Sequence, residues 1–230
     1  MAQARTPAYL ILAEAPVELV PPGLRGHPSV VSNAKRLGRD PARTLLDSSF
    51  HHRAMRPLEE AQRRGRPDIV HFCALLALGS RLSNAGRLRL FIHTRDDAVI
   101  TIAPGTRLPR VYDRFKGLIE QVLIEGVVPK DERLLVVEDG GLKALLDNLA
   151  PERTILFSPS GRRKSLAKVF PAKKRLDGTA VIVGAFPHGE FHKPTLALAT
   201  ETVSIADSAM EAWSVVAEIL ARMATVDGLH

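Results

Sequence analysis

The amino-acid sequence predicts an α/β fold built on a mostly parallel β-sheet with helices on both faces. From residue 134 onward, apolar segments of strand length alternate with segments of helical length. The strand segments are continuously apolar, which is typical of parallel strands buried on both faces. The chain has 230 residues and is 45% hydrophobic, enough for a full core. We therefore expect one domain over residues 1–230.

The first strand is predicted at YLILA, residues 9–13. Residues 21–66 contain many Arg and His and few apolar runs, so we expect an inserted, loosely packed arm with a short helix near 55–64. The segment RPDIVHFCALLALGS predicts a buried helix, because Pro67 suits the first helical position and Gly79 suits the stop.

A β-hairpin is predicted next, since LRLFIH and AVITIA flank the turn-like TRDD. A helix is then expected to begin at Pro109. Its predicted apolar face consists of Val111, Phe115, Leu118, Ile119 and Val122.

The C-terminal third carries the alternation that defines the fold class. The predicted strands are LLVVE, TILFS, AVIVGAF and ETVSI. The predicted helices are LKALLDNL and SAMEAWSVVAEILARMA.

The charge of the chain favours a polyanionic partner. Lys and Arg outnumber Asp and Glu by 32 to 25, and the sequence pI is about 9.9, which points to nucleic acid before membrane. An ordinary basic excess is the alternative. Cys73 is the only cysteine, so no intrachain disulfide can form and a reducing cytoplasmic compartment fits. No apolar run approaches the roughly 20 residues that a membrane span needs.

Three arginines surround the predicted start of the 110–125 helix. Arg110 and Arg114 are four residues apart and would share a helix face, with Arg107 just before them. Guanidinium groups at a fixed spacing suit phosphate oxygens. The alternative is a solvated helix face on which Asp113 is the local partner.

Two further basic features precede and follow this helix. In RRGRPD, Asp68 can cap the helix that begins near Pro67 or hold Arg66 in one rotamer. The stretch 160–175 is either a solvated loop or an arm that follows a nucleic-acid backbone. Its cations are Arg162, Arg163, Lys164, Lys168, Lys173, Lys174 and Arg175.

The remaining motifs exclude several chemistries. His188 and His192 are four residues apart but lack the HExxH order, so we expect no metal site. No G-x-S-x-G motif is present, and the lone cysteine lies in a predicted buried helix, so nucleophilic catalysis has no candidate. The stretch VIVGAFPHGE, residues 181–190, fits either a plain strand exit or a loop whose backbone amides meet a ligand.

Five segments occur together in the order and spacing of one family. They are RRGRPDIVHFCALLAL, LFIHTRDD, PGTRLPRVYDRFKGLIEQVL, VIVGAFPHGE and TVSIADSAMEA. The sequence resembles the small-subunit ribosomal RNA pseudouridine-N1 methyltransferases of the SPOUT superfamily over about residues 63–220, in a form similar to archaeal members. The resemblance implies a C-terminal trefoil knot, a homodimer, and the cofactor S-adenosylmethionine.

The resemblance also assigns the cofactor site. The loop after the 181–184 strand would contribute Gly184 and Gly189, whose backbone can approach adenine and ribose closely. The opposite wall would be Ile205, Ala206, Asp207, Ser208, Ala209 and Met210. The segment IADSAMEA departs from the family pattern, so contacts there would come from the backbone.

On the same resemblance, four arginines would contact RNA: Arg66, Arg107, Arg110 and Arg114. Asp68 would orient Arg66 and so act indirectly in catalysis. The implied activity is methylation of N1 of a pseudouridine in small-subunit ribosomal RNA during ribosome biogenesis. The alternatives are a non-catalytic RNA-binding assembly factor and a related SPOUT methyltransferase that acts on transfer RNA.

Overall fold

In the computed structural model, which describes residues 5–172 and 175–229, eight strands form one mixed sheet. In chain order they are β1 (Ala8–Ala15), β2 (Leu88–Thr94), β3 (Val99–Ile102), β4 (Val127–Val128), β5 (Leu135–Glu138), β6 (Arg153–Arg163), β7 (Thr179–Gly184) and β8 (Glu201–Ser204). Their spatial order is β4-β5-β3-β2-β1-β7-β6-β8. Neighbouring strands from β2 to β8 in this order are parallel, and β3, β5 and β4 extend the sheet antiparallel. The predicted fold class and the β2–β3 hairpin are confirmed.

Helices cover both faces of this sheet. They are α1 (Pro28–Leu37), α2 (Ser48–Met55), α3 (Pro67–Leu78), α4 (Arg81–Asn84), α5 (Tyr112–Glu125), α6 (Gly141–Leu149), α7 (Leu166–Val169), α8 (Lys193–Ala197) and α9 (Ala212–Val226). Alternate side chains of β1 enter two different cores on opposite faces of the sheet. Leu10 and Leu12 pack with α3, α5 and α9, whereas Tyr9 and Ile11 pack with α6. Each fully buried aliphatic side chain contributes roughly 1.5–3 kcal/mol.

The arm at residues 21–66 is better ordered than its composition predicts. It contains α1 and α2 and a small apolar cluster of its own: Val20, Leu24, Val30, Leu46, Ala54 and Met55. The expected helix near 55–64 is wrong, because α2 ends at Met55 and only a 3-10 turn follows at Ala61–Arg63. The Asp47 carboxylate fixes the true start of α2 by accepting a hydrogen bond from the Ser49 backbone N–H at 3.0 Å.

The helix after the hairpin begins three residues later than predicted. Val111 is extended and 57% exposed, and α5 starts at Tyr112, so neither Pro109 nor Val111 has its expected role. The Pro109 carbonyl accepts a hydrogen bond from His71 Nε2 at 2.8 Å, which holds the preceding loop against α3. Arg110 therefore lies in this loop, and its predicted helical spacing to Arg114 is wrong.

The C-terminal elements differ at their boundaries. β6 continues to Arg163, so Arg162 and Arg163 lie in a strand rather than in the predicted solvated loop, while Lys173 and Lys174 lie outside the described residues. α9 begins at Ala212, four residues after the predicted start at Ser208, because residues 205–211 form a loop instead.

A close chain crossing lies beside β8. Val203 pairs with Phe157 and, after a register shift, with Arg162 of the same strand β6. The intervening segment passes so close that a Cβ on Gly161 would lie 2.6 Å from backbone atoms of Val203. Only glycine fits this crossing without a shift of backbone. The trefoil knot itself stays a prediction.

Across the described part of the chain, none of the helices combines the length and the apolar character that crossing a bilayer requires.

Candidate active site

A cleft of about 250 Å³ opens at the carboxyl ends of the parallel strands β6, β7 and β8. Ligand sites in α/β sheets commonly lie at this end of the strands. The lining residues are Phe157, Ser158, Pro159, Val183, Gly184, Phe186, Pro187, His188, Gly189, Glu190, Phe191, Val203, Ser204, Ile205, Ala206, Ser208, Ala209, Met210, Ala212 and Val215. Seven of the eight residues that the sequence assigns to a cofactor therefore border one cleft.

One wall is the segment after β7, residues 185–191, which we call the cofactor loop. Gly184 ends the strand, and a Cβ there would lie 2.8 Å from the ring of Phe186 and 3.0 Å from the ring of Phe191. Gly189 has a φ of 88°, a conformation that side-chain-bearing residues rarely adopt. The two glycines thus permit the packing and the turn that shape this wall.

The opposite wall is residues 205–210. At the start of this loop, the Ser204 hydroxyl donates a hydrogen bond to the Ala206 carbonyl at 2.8 Å. Asp207 does not line the cleft: its side chain is 93% exposed and forms an ion pair with Arg163 Nε at 3.1 Å. Asp207 therefore belongs to the outer side of this loop.

A carboxylate that sequence reasoning missed lies in the cleft. Glu190 Oε2 accepts hydrogen bonds from the hydroxyls of Ser158 at 3.1 Å and Ser160 at 3.0 Å. These two hydrogen bonds hold one carboxylate oxygen of Glu190, and neither hydroxyl binds the other oxygen. The alternating Ser-x-Ser at the end of a buried strand was the available signal.

The lone cysteine and one of the paired histidines of the sequence have other environments in the structure. Cys73 is fully buried, and burial raises the pKa of its thiol to about 12, so the reactive thiolate is disfavoured. Among residues 5–172 and 175–229, no group of three or more His, Cys, Asp or Glu side chains could hold a metal ion. His192, one of the two histidines considered for zinc, instead lies 2.8 Å from Glu14 and 3.1 Å from Glu60.

A second surface is built on the starts of α3 and α5. Arg66 precedes α3, and its Nε and Nη2 donate to the two carboxylate oxygens of Asp68, both at 2.8 Å. This bidentate pairing holds the guanidinium in one orientation. The hydrogen bonding to Asp68 is also the largest cause of the raised pKa of Arg66. Asp68 thus orients Arg66 as well as occupying the first turn of the helix.

Arg107, Arg110 and Arg114 are exposed beside this pair. Within the described residues, none of the three side chains forms a hydrogen bond or ion pair. Asp113, the expected local partner, pairs instead with Lys116 at 3.2 Å. We refer to Arg66, Arg107, Arg110 and Arg114 as the arginine surface.

Packed side chains support the arginine surface from below, and of these the sequence singled out only Phe115. The His71 ring stacks on Phe115 with centroids 4.3 Å apart. Lys116 Nζ binds Asp47 Oδ2 at 3.0 Å, and the Tyr112 hydroxyl donates to the same oxygen at 3.1 Å. Burial is the largest cause of the raised pKa of Tyr112, so its hydroxyl stays protonated. These contacts fix the start of α5 against α3 and the arm.

One member of the arginine surface, Arg66, lies near the edge of the cleft. Glu211 directly follows the cleft residue Met210, and its charge is close enough to Arg66 to contribute to the raised pKa of that guanidinium. A ligand in the cleft and a polyanion on the arginine surface would therefore meet near residues 210–211.

Comparisons with known proteins identify the family. The family model described as EMG1/NEP1 methyltransferase matches residues 10–224. The chain is 43% identical over 212 residues to the ribosomal RNA small subunit methyltransferase Nep1 of Thermococcus sibiricus, covering 92% of this chain and 95% of that protein. It is 40% identical over 224 residues to the protein of the same name from Thermococcus kodakarensis, covering 96% and 99%.

A solved structure is similar over nearly the whole chain. Archaeoglobus fulgidus Nep1 bound to S-adenosylhomocysteine superposes with a TM-score of 0.85 at 34% identity, covering 97% of this chain and 99% of that one. The resemblance inferred from sequence motifs is therefore confirmed at the level of whole-chain fold. The chain belongs to the EMG1/NEP1 methyltransferase family.

Proposed function

We propose that this protein transfers a methyl group from S-adenosylmethionine to N1 of a pseudouridine in small-subunit ribosomal RNA. The observation that carries the proposal is that the cleft and the arginine surface lie next to each other. The two walls of the cleft are the loops that the resemblance assigns to the cofactor, and Arg66 lies near one of them. The relatives named as small-subunit ribosomal RNA methyltransferases support the substrate class. The pseudouridine and its N1 atom come from the motif resemblance alone.

The cleft residues fit S-adenosylmethionine. Apolar side chains such as Phe186, Ile205 and Met210 suit a flat adenine, and loop backbone supplies hydrogen-bonding groups for its edge. Glu190 places a carboxylate in the same cleft, which suits a cationic ligand. The Archaeoglobus fulgidus relative bound to S-adenosylhomocysteine supports the same cofactor class.

The chemistry asks little of protein side chains. The bound cofactor would supply a methyl group already activated on a sulfonium. The protein must hold N1 in line with that group while N1 loses its proton. Such positioning contributes up to about 7–11 kcal/mol to catalysis. Both Asp68 oxygens already accept from Arg66, so we assign Asp68 a positioning role rather than that of a base.

The arginine surface would hold the RNA. Arg107, Arg110 and Arg114 are exposed and suit phosphate oxygens, and Arg66 is oriented at the edge nearest the cleft. Base-modifying enzymes must reach their target outside the stack, so we expect the target nucleotide to be flipped from an RNA loop into the cleft.

We further propose a homodimer. Phe72 and Leu76 of α3 are 53% and 41% exposed, and the Phe72 ring lies 5.5 Å from that of Trp213 on α9. On α9, Trp213 is half-buried, whereas Val216, Ile219 and Leu220 are buried in the protein's own core. The exposed α3–α9 patch is the better candidate for a twofold interface. Sedimentation at micromolar concentration should show a dimer, and Phe72→Asp should yield monomer.

The test of the proposed function is mass spectrometry of nucleosides from RNA incubated with the protein and isotope-labelled S-adenosylmethionine. Small-subunit ribosomal RNA that contains pseudouridine should gain one labelled methyl group at N1 of that base. Label in transfer RNA alone would favour the related transfer-RNA enzyme. Cofactor-independent RNA binding without label would favour an assembly factor. We place this activity in the cytoplasm as part of the same proposal.

A further inference from the structure

We propose that Arg63, at the end of the arm, is a positioning residue that sets the shape of the cofactor loop and thereby the affinity for the cofactor. The inference rests on the proposed function, because it deepens the role of the same cleft. Arg63 lies outside the cleft lining and three residues before Arg66.

Arg63 makes two contacts with the cofactor loop and a third with Glu14 on β1. Nη1 donates a hydrogen bond to the Glu190 carbonyl, and the guanidinium lies over the Phe186 ring at 4.1 Å from its centroid. Nη2 binds Glu14 Oε2 at 2.5 Å, and the side chain is only 9% exposed. A planar fork can make these contacts together, whereas an ammonium group cannot.

The backbone of the cofactor loop is shaped around this guanidinium. A Cβ on Gly189 would lie 3.0 Å from Arg63 Nη1, and Gly189 has a φ of 88°. The backbone of the loop is thus so close to Arg63 that a side chain at position 189 would crowd the guanidinium. Because Phe186 and Glu190 also line the cleft, a shift of Arg63 would move two cleft-lining residues.

Glu14 completes the clamp from β1. Its Oε1 accepts a hydrogen bond from the His192 backbone N–H at 3.0 Å, directly after the cofactor loop. Glu14 itself is buried and has a φ of 52°, which is uncommon for a residue with a side chain. Such backbone strain persists where surrounding contacts fix a residue strongly. Arg63 and Glu14 together hold both the middle and the end of the loop.

Arg64 provides a matched comparison within the same turn. Its side chain is also 9% exposed, and it binds a buried carboxylate in two places, Glu18 at 2.8 and 2.5 Å. Its other hydrogen bond within the described chain goes to the Glu59 carbonyl at 3.4 Å, not to the cofactor loop. A merely structural role for buried arginines of the arm would affect both positions alike.

The experiment compares Arg63→Lys with Arg64→Lys in the full chain by calorimetric titration with S-adenosylmethionine, together with thermal unfolding and steady-state methyl transfer. We expect Arg63→Lys to raise the Kd and the KM for the cofactor about tenfold, since the lysine cannot make the same charge-assisted hydrogen bonds. Its kcat at saturating cofactor and its RNA affinity should stay within about twofold of the parent. Arg64→Lys should lower the unfolding temperature comparably and leave the cofactor Kd within about twofold.

A second pair covers the case in which the lysine variants do not fold. Glu14→Gln should weaken cofactor binding and Glu18→Gln should not. Equal effects on the cofactor Kd within either pair, or an unchanged Kd in Arg63→Lys, would overturn the inference. Absence of cofactor binding by the parent protein would overturn the proposed function itself.

Discussion

The cleft and the arginine surface adjoin each other but are built on opposite principles. The cleft is enclosed by two loops of small and apolar residues, and its shape depends on close backbone approaches at Gly184 and Gly189. The arginine surface consists of long, exposed side chains at the starts of two helices, above a packed support of Phe115 and Lys116.

This difference predicts how each region tolerates change. In the cleft, adding a single Cβ can displace a wall, because the neighbouring atoms are the rings of Phe186 and Phe191 at Gly184 and the guanidinium of Arg63 at Gly189. On the arginine surface, removing a side chain takes away a charge and leaves the fold intact. Cofactor binding should therefore depend on the volume of the side chains that line the cleft, whereas RNA binding should depend on the charge of the arginine surface.

The largest effect is expected at the crossing of β6 and β8, where Val203 also lines the cleft. Gly161→Ala would place a methyl group 2.6 Å from the Val203 backbone, which cannot move without disturbing β8. We expect a decrease of about 3 kcal/mol or more in the free energy of unfolding, measured by urea denaturation.

Gly23→Ala is the control for this substitution, since nothing lies within 4 Å of its added Cβ. It should change stability by no more than about 0.5 kcal/mol. Equal stabilities of the two variants would show that the crossing is looser than described, and would also weaken support for a knot at this point.

The next effect concerns the oriented arginine. Arg66→Ala should reduce RNA affinity about ten- to hundredfold, because the substitution removes charge-assisted hydrogen bonds to RNA. Asp68→Ala should mimic it, and the double variant should be little worse than either, since the two side chains act as one unit. Filter-binding titrations would measure all three.

Asp147→Ala is the control for these variants. It breaks an exposed ion pair with Lys143, at 2.6 Å, on α6, the helix that covers the other face of the sheet. If Asp68→Ala binds RNA normally but loses turnover, Asp68 is a base and the positioning role is wrong.

Smaller effects are expected at the unpaired arginines. Arg110→Ala and Arg114→Ala should each weaken RNA binding and flatten the log–log salt dependence by about 0.7 for each phosphate that the variant no longer neutralises. Affinity for S-adenosylmethionine should not change. Lys143→Ala removes a cation elsewhere and should keep the parent slope. Unaltered slopes in the arginine variants would mean that these residues face solvent in the complex.

The smallest effect concerns the arm. Burial lowers the pKa of His51, with Asp47 acting in the opposite direction and Lys116 and His27 in the same direction as burial. The unfolded chain then binds the proton more readily. Stability from neutral His51 is fully present above pH 6.5 and falls as the pH drops toward the lowered pKa, by at most about 1.4 kcal/mol per pH unit. Urea unfolding at pH 7.5 and 5.5 should show this decrease, and His51→Gln should diminish it.

The sequence predicted the parallel core well and the arm poorly, for physical reasons. Short, continuous apolar runs rich in β-branched residues, such as that of β7, are typical of buried strands, so their positions follow from local pattern. The arm is stabilised by long-range ion pairs, including Arg63 with Glu14 and Arg64 with Glu18. Charged residues that are buried in pairs look like solvated residues in sequence, so this region was predicted to be loosely packed.

The site shows the same division. The family resemblance, together with the two glycines that bracket a strand exit, indicated the cleft, and seven of the eight residues so assigned line it. The Asp207 side chain points away from the cleft, and loop membership alone does not tell which way a side chain points. The start of α5 depends on His71 binding the Pro109 carbonyl, 38 residues away, and no local pattern reveals that contact.

The most direct test is a pair of calorimetric titrations, with S-adenosylmethionine and with a small-subunit ribosomal RNA fragment, on Gly184→Val and Arg114→Ala. The added side chain at Gly184 would meet Phe186 and Phe191 and displace the cofactor loop. We predict that Gly184→Val loses cofactor binding and retains RNA binding, and that Arg114→Ala retains cofactor binding and weakens RNA binding. If Gly184→Val binds the cofactor as the parent does, or if both variants lose both ligands, the assignment of two distinct surfaces is contradicted.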